Sequence, residues 1–398
     1  MASTIWIINQ YAGSPQHGME FRHYYLAKEF NAKGYRTIII SGSYSHLYYC
    51  SPKVEGNYTQ GFVNEIEYWW IKVPQYSKSL SIGRVTNMLV FALKLWFFPK
   101  TRLPKPTHII TSSPSPFPIS IASIWAKKLK SKLIYEVRDL WPLTLIELGG
   151  MSKLNPLVLF FSYFERIGLK RADVVVSVLP NAIEYFLSKD FKPKKYVIIA
   201  NGISHEMLDS QTIELPIDDK RFKIVYLGSI GVSNALEYLV EASKLLDPTR
   251  FSLYIIGSGS EEMKLKELAK SEKNICFLPR VDKKYVQHVL SKFDACYLGW
   301  RKNSFYRFGI SANKIYEYML SGKPIIHSVS AGNDPIKDSN CGVSVEPEDS
   351  YAIAKAIEQL SNLTVFERDD MGNRGKEFVM KNNLYSILAD RYINEVLV

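Results

Sequence analysis

The sequence predicts an α/β protein made of two Rossmann-like, doubly wound domains, and three observations predict it. Strand-like and helix-like runs alternate from end to end of the 398 residues. The strands are continuously apolar, as in TIII and DVVVSV, rather than alternating in polarity; that is the pattern of a parallel sheet covered on both faces. The alternation also pauses once, over residues 204–221, and then starts again. With 46% hydrophobic residues, a chain of this length exceeds one ordinary core and fits two domains of roughly 200 residues each.

Taken in order, residues 4–8 form an apolar strand, and 18–32 an amphipathic helix that Gly34 ends as a C-cap glycine does. Strands follow at 36–41, 68–73, 107–111, 132–137, 173–178 and 196–200, with helical stretches between most of them. The polar, proline-bearing run SHEMLDSQTIELPIDDKR at 204–221 reads as a linker. Beyond it the spacing predicts strands at 222–227, 251–256, 274–278, 295–298 and 324–327, and helices at 234–246, 261–271, 282–291 and 312–320. Residues 351–398 read as helical throughout, and the last helix, 384–397, has no strand after it. The expected domains are therefore 1–205 and 206–383, with 384–398 free to pack on either, including back on the first. Ligands of open α/β sheets sit beyond the carboxyl ends of the strands. Both sheets are expected to contribute to one cleft there.

A net charge of +11 and a pI near 9.2 favour anionic partners: nucleic acid, lipid headgroups or phosphorylated small molecules. A soluble basic protein with no such partner has the same composition. The basic residues are scattered and form no RNA or DNA motif, so no nucleic-acid partner is expected. Cys50, Cys276, Cys296 and Cys341 make no CxxC pair and no Cys/His cluster; they read as reduced cysteines, with no metal site. The opening MASTIWIINQYAG lacks a basic n-region and a small-residue cleavage site. No uncharged apolar run approaches the roughly 18–20 residues of a membrane span. A cytoplasmic protein is expected. Two helical runs, 82–100 and 154–171, set Trp96, Phe97, Phe98, Phe160, Phe161, Tyr163 and Phe164 beside Lys94, Lys100, Arg166, Lys170 and Arg171. They fit either an interfacial membrane face or core packing of two helices on a sheet.

Chemistry-bearing residues gather at predicted strand ends. Gly13 and Gly18 bracket a loop that opens a helix and includes His17 and Glu20; its amides fit an anion, or it is a plain βα turn. The spacing is not GxGxxG. Ser229 and Asn234 follow the first strand of the second half, and Gly257 and Gly259 follow the next, where glycine permits either close ligand approach or only a turn. The stretch WRKNSFYRFGISANKIYEYMLSGKP places Arg301, Lys302, Arg307 and Lys314 around Gly309–Ile310–Ser311, with Arg280 upstream. Ser311 is the expected N-cap of the next helix. Lys314 in its first turn opposes the helix dipole, a conflict that a bound diphosphate would resolve. Glu317, three residues on, shares its face and suits a ribose diol; a surface Lys–Glu pair is the alternative. In the first half, Glu136, Arg138, Asp139 and Trp141 gather at a strand end, as a site or as a buried Arg–Asp pair.

Three stretches resemble glycosyltransferase family 4, with the GT-B fold. They are Gly18–Met19–Glu20 with LAKEFNAKGYRTIII, the junction VIIANGIS, and GISANKIYEYMLSGKPII. The last is similar to the family's donor-binding signature, and the likeness covers nearly the whole chain. RDLWP is similar to the branch that builds O-antigen and capsule repeats, including the N-acetyl-L-fucosamine transferases. The resemblance implies a retaining, metal-independent transferase with no cofactor. A UDP-sugar would be the donor and a lipid-diphosphate-linked saccharide the acceptor, at the cytoplasmic face of the inner membrane.

By position, the resemblance gives Glu317 the ribose and Lys314 the diphosphate, with Ser229, Asn234, Gly257, Arg280, Arg307, Gly309, Ile310 and Ser311 around the donor. Arg138 and Asp139 fall where relatives place a catalytic-site histidine. His17, Gly18, Glu20 and Trp141 lie on the acceptor side, and Asn201 at the interdomain hinge. The chain departs from the family at three points. Gly309 stands where a first carboxylate is usual, Ser229 and Asn234 stand near a usual Arg and Lys, and Asp139 replaces the histidine. A nucleotide-sugar epimerase of the same fold and a non-catalytic scaffold remain alternatives.

Overall fold

The computed structural model describes residues 3–18, 21–77, 81–217 and 219–398. It divides into two compact units, Met1–Ala200 with Tyr385–Val398, and Asn201–Leu384.

The first unit carries strands β1 (Thr4–Ile8), β2 (Arg36–Gly42), β3 (Tyr58–Val63), β4 (Ile66–Ile71), β5 (His108–Ser112), β6 (Lys132–Val137), β7 (Val174–Ser177) and β8 (Tyr196–Ile198). They form one sheet in the order β3-β4-β2-β1-β5-β6-β7-β8, parallel throughout except for β3, which pairs antiparallel to β4. Helices α1 (Arg22–Ala32), α2 (Ile82–Trp96), α3 (Pro118–Leu129), α4 (Leu143–Glu147), α5 (Pro156–Arg171) and α6 (Ala182–Leu187) connect them. The central strands are buried, as in β1 and β4, where every residue is buried. That is why the sequence shows unbroken apolar runs there.

The second unit has β9 (Phe222–Leu227), β10 (Phe251–Ile256), β11 (Ile275–Leu278), β12 (Ala295–Gly299), β13 (Ile325–Ser328) and β14 (Gly342–Val345), all parallel in the order β11-β10-β9-β12-β13-β14. Its helices are α7 (Leu236–Lys244), α8 (Glu262–Leu268), α9 (Val286–Ser291), α10 (Asn313–Leu320), α11 (Pro335–Asp338), α12 (Ser350–Ser361) and α13 (Val365–Asn382).

Several expectations are corrected. The helix expected over 18–32 begins only at Arg22, because residues 14–18 form a tight turn with a bridge between Ser14 and Gly18. Strand β3 has a half-exposed face and no apolar run, so its sequence carries no strand signal. The helical stretch expected over 351–398 is divided at two places, of which only the first is unexpected, since the sequence itself sets a separate last helix from 384. Thr364 starts α13 with a reciprocal capping box to Glu367, and a second break at residues 383–384 precedes α14 (Tyr385–Arg391).

Helix α14 and the last turns, Tyr392–Leu397, belong to the first unit. Tyr385 stacks on Tyr25 at 5.1 Å, Tyr392 meets Phe30 edge-on at 5.6 Å, and Leu388 and Val396 are fully buried. Each such side chain contributes roughly 1.5–3 kcal/mol. Against a net stability on the order of 5–15 kcal/mol, the segment is integral to the unit.

Candidate functional site

In the second unit the carboxyl ends of β9 and β10 are held against each other by glycines. A Cβ on Gly257 would fall 1.8 Å from the Gly228 carbonyl oxygen, and one on Gly259 would fall 2.2 Å from that of Ile230. Gly257 has φ +151 and Gly228 φ +153, a region that favours glycine. The amides of Gly228 and Gly257 donate to Ile256 and Leu278. These glycines are thus explained by backbone packing, and what they create is a narrow, exposed strand end at Ser229.

Lys314 reaches this spot from the first turn of α10. Its ammonium donates to the Tyr226 hydroxyl at 2.7 Å and lies 4.1 Å from that ring. A Cβ on Gly228 would fall 2.4 Å from its Nζ. Burial pushes the Lys314 amine down to about 7, and Glu317 partly opposes this. The Tyr226 hydroxyl, for its part, donates to the Ser229 carbonyl at 2.5 Å. The side-chain amide of the buried Asn234 reaches the same oxygen at 3.0 Å. A cation is pressed onto a phenol and Gly228 at a helix start where its charge opposes the dipole, a conflict that a bound anion would relieve.

Glu317 lies one turn along α10 and is paired with Lys283 at 2.7 Å. The sequence offered Lys314 as its partner; Lys283 was missed because it lies 34 residues upstream. Tyr226 and Asn333 were also missed. Asn333 accepts from the Ile310 amide at 2.7 Å and donates to the Ile310 carbonyl at 3.2 Å, pinning the Gly309–Ile310 loop as a β-partner would. Gly309 has φ +97, so the position where the resemblance implies a carboxylate has here a backbone that disfavours any side chain.

Ser311 does not cap α10. Its hydroxyl accepts from the Asn201 amide at 2.8 Å, and Ala312 occupies the cap position with no side-chain bond. Asn201 in turn accepts from Asn383 at 3.0 Å. The point where the chain enters this unit and the point where it leaves are therefore tied together. Arg301 is paired with both Glu237 and Glu348, which makes it a latch between loops. Arg307 is exposed and lies 4.2 Å from the Phe308 ring. Arg280 is exposed beyond β11.

In the first unit, the carboxyl end of β6 holds a buried carboxylate. Glu136 accepts from Arg22 at 2.9 Å, His23 at 2.8 Å, Ser112 at 2.8 Å and Tyr392 at 3.1 Å. Burial alone would raise its carboxyl, but Arg22 and His23 hold it well below the usual range. Burial pushes the His23 imidazole down, with Glu136 opposing. Arg22 also donates to the carbonyls of Ile199 and Ala200. Just beyond, the Ser113 hydroxyl accepts the amides of Arg138 at 2.8 Å and Asp139 at 3.2 Å. Asp139 is exposed, which excludes a buried Arg138–Asp139 pair. Trp141 packs on Phe161 at 5.3 Å and under the Arg84 guanidinium at 5.5 Å.

His17 bonds Ser14 at 2.8 Å and lies 5.3 Å from Trp70, and burial lowers its imidazole. Gly18 has φ +129, and a Cβ there would strike the Leu47 carbonyl at 2.6 Å. Glu20 lies outside the described residues.

The aromatic helices divide between both of their readings. Phe98 and Phe161 are core residues, whereas Trp96, Phe97, Phe160 and Tyr163 are exposed. Among the described residues no helix is long and apolar enough to cross a membrane, and no group of three or more His, Cys, Asp or Glu is placed to hold a metal ion.

Residues 17–202 match the family described as Glycosyl transferase 4-like domain, and residues 221–362 the family described as Glycosyl transferases group 1. The chain is similar to the putative colanic acid biosynthesis glycosyl transferase WcaI of Escherichia coli (strain K12), 24% identical over 221 residues. That match covers 52% of this chain and 54% of WcaI, so the chain spans about half the length of that relative. Among solved structures it is similar to the sucrose-phosphate synthase from Thermosynechococcus elongatus, with a TM-score of 0.75, 16% identity and 98% of both chains covered. It is likewise similar to Anabaena HepE in complex with UDP and glucose, with a TM-score of 0.67, 12% identity and 98% of both chains covered.

Proposed function

The chain belongs to glycosyltransferase family 4 and has the GT-B fold, and on that premise we propose that it is a retaining, metal-independent enzyme moving a sugar from a UDP-sugar to a lipid-linked saccharide. The setting would be surface-polysaccharide (O-antigen or capsule) biosynthesis at the inner face of the membrane. The observation that carries the donor half is Lys314, an ammonium seated on Tyr226 at an exposed strand end. UDP is the favoured nucleotide because HepE is described in complex with it. The lipid-linked acceptor is supported by the apolar residues exposed on α2 and α5 beside a net charge of +11, and the polysaccharide setting by the likeness to WcaI.

In this reading the diphosphate lies at Ser229 and the start of α10, and Glu317 takes the ribose hydroxyls in exchange with Lys283. The bond between the anomeric carbon and the diphosphate oxygen breaks, and the acceptor hydroxyl forms its bond on the same face. The acceptor proton passes to the departing diphosphate. Lys314 stabilises the charge that develops there, an electrostatic contribution of the oxyanion-hole kind. Asp139 and Arg138 orient the acceptor, with His17, Gly18 and Trp141 on the same side.

Thermal-shift measurements with UDP, GDP, ADP and TDP test the donor assignment. UDP is expected to raise the melting temperature by mass action, and Glu317→Ala is expected to remove most of that shift; an equal shift in the variant would take Glu317 out of the site. Incubation with a UDP-sugar alone separates an epimerase, which converts it without acceptor, from a transferase. The anomeric configuration of the product decides retention. No shift with any nucleotide would leave a non-catalytic scaffold.

A further inference from the structure

A cavity of about 250 Å³ opens in the first unit between the first turns of α2 and α5. It is distinct from the main core and belongs to a small cluster around Met88, Leu145 and Phe161. Its walls are Val85, Met88, Leu145, Met151, Leu157 and Phe161, and among the described residues its polar lining is Ser81, Arg84 and the indole of Trp141. The volume lies below the roughly 300–1,000 Å³ of ordinary small-molecule pockets, and the lining has too few polar groups to orient a sugar. What fits is a short length of hydrocarbon.

The mouth is built for an anion. Arg84 lies over the rings of Tyr11 at 5.3 Å and Trp141 at 5.5 Å, and its Nε donates to the Tyr11 hydroxyl at 3.4 Å. The guanidinium is thereby fixed at the rim. Both helices present their N-terminal turns to the cavity, α2 through Ser81, Ile82 and Arg84 and α5 through Leu157. Neither first turn contains an acidic residue, so apart from the neutral Ser81 and Asn155 side-chain caps each helix keeps its positive dipole end. Trp141 joins this mouth to the end of β6, where Arg138 and Asp139 lie. Outside the cavity, Ile82, Leu89 and Leu93 on α2, Phe97 just after it, and Leu159 and Tyr163 on α5 are exposed.

We propose that this cavity receives the first isoprene units of a polyprenyl diphosphate, with Arg84 at the diphosphate. The assignment rests on the reading that the acceptor is lipid-linked, and it adds where the lipid enters. A saccharide on that diphosphate would then extend towards Asp139 and Arg138, and the remaining chain would run along the exposed apolar residues into a bilayer.

Farnesyl diphosphate, farnesol and inorganic diphosphate, titrated calorimetrically against the full chain, test this. Farnesyl diphosphate is expected to bind at least tenfold more tightly than either half alone. Leu157→Trp, which fills the cavity from a half-exposed position, should reduce farnesyl diphosphate to the affinity of inorganic diphosphate. Arg84→Gln should reduce it to that of farnesol. Met151→Trp, at another half-exposed position, gives a second obstruction with the same expected loss. The assignment is overturned if both tryptophan variants bind farnesyl diphosphate as the wild type does. It is also overturned if phosphatidylglycerol vesicles displace the prenyl ligand at equal lipid concentration, since the groove would then be a general acyl-chain site. The UDP thermal shift keeps the two readings apart. A shift with UDP and no farnesyl diphosphate binding overturns the cavity assignment alone. Farnesyl diphosphate binding with no nucleotide shift overturns the donor assignment alone.

Discussion

Two charged groups sit near strand ends, one in each unit, and their surroundings differ in kind. Glu136 is enclosed by Arg22, His23, Ser112 and Tyr392, four donors for one carboxylate. Lys314 has the Tyr226 phenol against it and a carboxylate one turn away that is itself paired with Lys283. A buried charge costs free energy until it is paired and hydrogen-bonded. The first centre satisfies that requirement from within the protein and drives its carboxyl to lower values; the second does not, and its amine is pushed down to about 7. The closed cluster has the pattern of scaffold, and the incompletely matched cation at an exposed strand end is the feature on which the proposed donor site rests. Ionisable residues at the carboxyl end of a parallel sheet do not by themselves distinguish the two; the count and charge of their partners does.

The largest expected effect breaks the scaffold side of this contrast. Glu136→Gln leaves the Arg22 guanidinium buried without its counter-ion, a change that typically costs about 3–5 kcal/mol. Because Tyr392 also bonds Glu136, hydrogen exchange should rise in 385–397 as the melting temperature falls. A variant that keeps its melting temperature but loses turnover would move Glu136 from scaffold to chemistry.

Lys314→Ala should do the reverse. Removal of one preorganised charge at a developing anion costs on the order of 10²–10³ in turnover, while the fold loses only an amine that burial already disfavours. Turnover within tenfold of wild type, at unchanged melting temperature, would defeat the assignment.

Much of this was legible in the residues, and the omissions have physical causes. The parallel strands were readable because both of their faces are buried; β3 was not, because one face is wet and its residues alternate weakly. Lys314 and Glu317 were legible because three-residue spacing on a helix puts them on one face. Lys283, Tyr226 and Asn333 were not, since only the folded chain brings residues 34, 88 and 23 positions away onto the same loops. Glu136 was singled out with its neighbours, but its satisfaction by Arg22 and by Tyr392, at separations of 114 and 256 residues, was invisible. Ser311 was misread for the same reason: its sequence position suits a cap, but the Asn201 amide, 110 residues away, takes the hydroxyl.

The protonation of Lys314 sharpens the contrast further. Its amine falls from an ordinary 10.5 to about 7 on folding. Between those values the unfolded chain binds the proton and the native one does not. This group's contribution therefore makes the fold more stable as pH rises from 7 to 10.5, and its full penalty is present below 7. Nucleotide affinity should run the other way, because a diphosphate binds the charged form. UDP affinity is expected to fall by up to about tenfold per pH unit above 7, with proton uptake on binding at pH 8 visible as a buffer-dependent calorimetric heat. Lys314→Met should flatten that slope, and an unchanged slope would assign it to another group.

The smallest effect lies at the junction of the two units. In Ser311→Ala the Asn201 amide, buried and held at 2.8 Å by the serine hydroxyl, loses its acceptor. An unsatisfied buried donor costs about 1–3 kcal/mol, and about 1 kcal/mol corresponds to roughly 2–4 °C of melting temperature in a domain of 150–250 residues. The location of the change is more informative than its size. If Ser311 is the tie to Asn201, hydrogen exchange should quicken at the Asn201 amide and leave the first turn of α10 as it was. Were the serine acting as a helix cap, the first-turn amides of α10 would exchange faster and Asn201 would not. Because Asn201 also holds Asn383, the first outcome would extend to Asn383. The two points where the chain crosses between the units would then loosen together, while Lys314, three residues on in the first turn of α10, stays in register and UDP still binds.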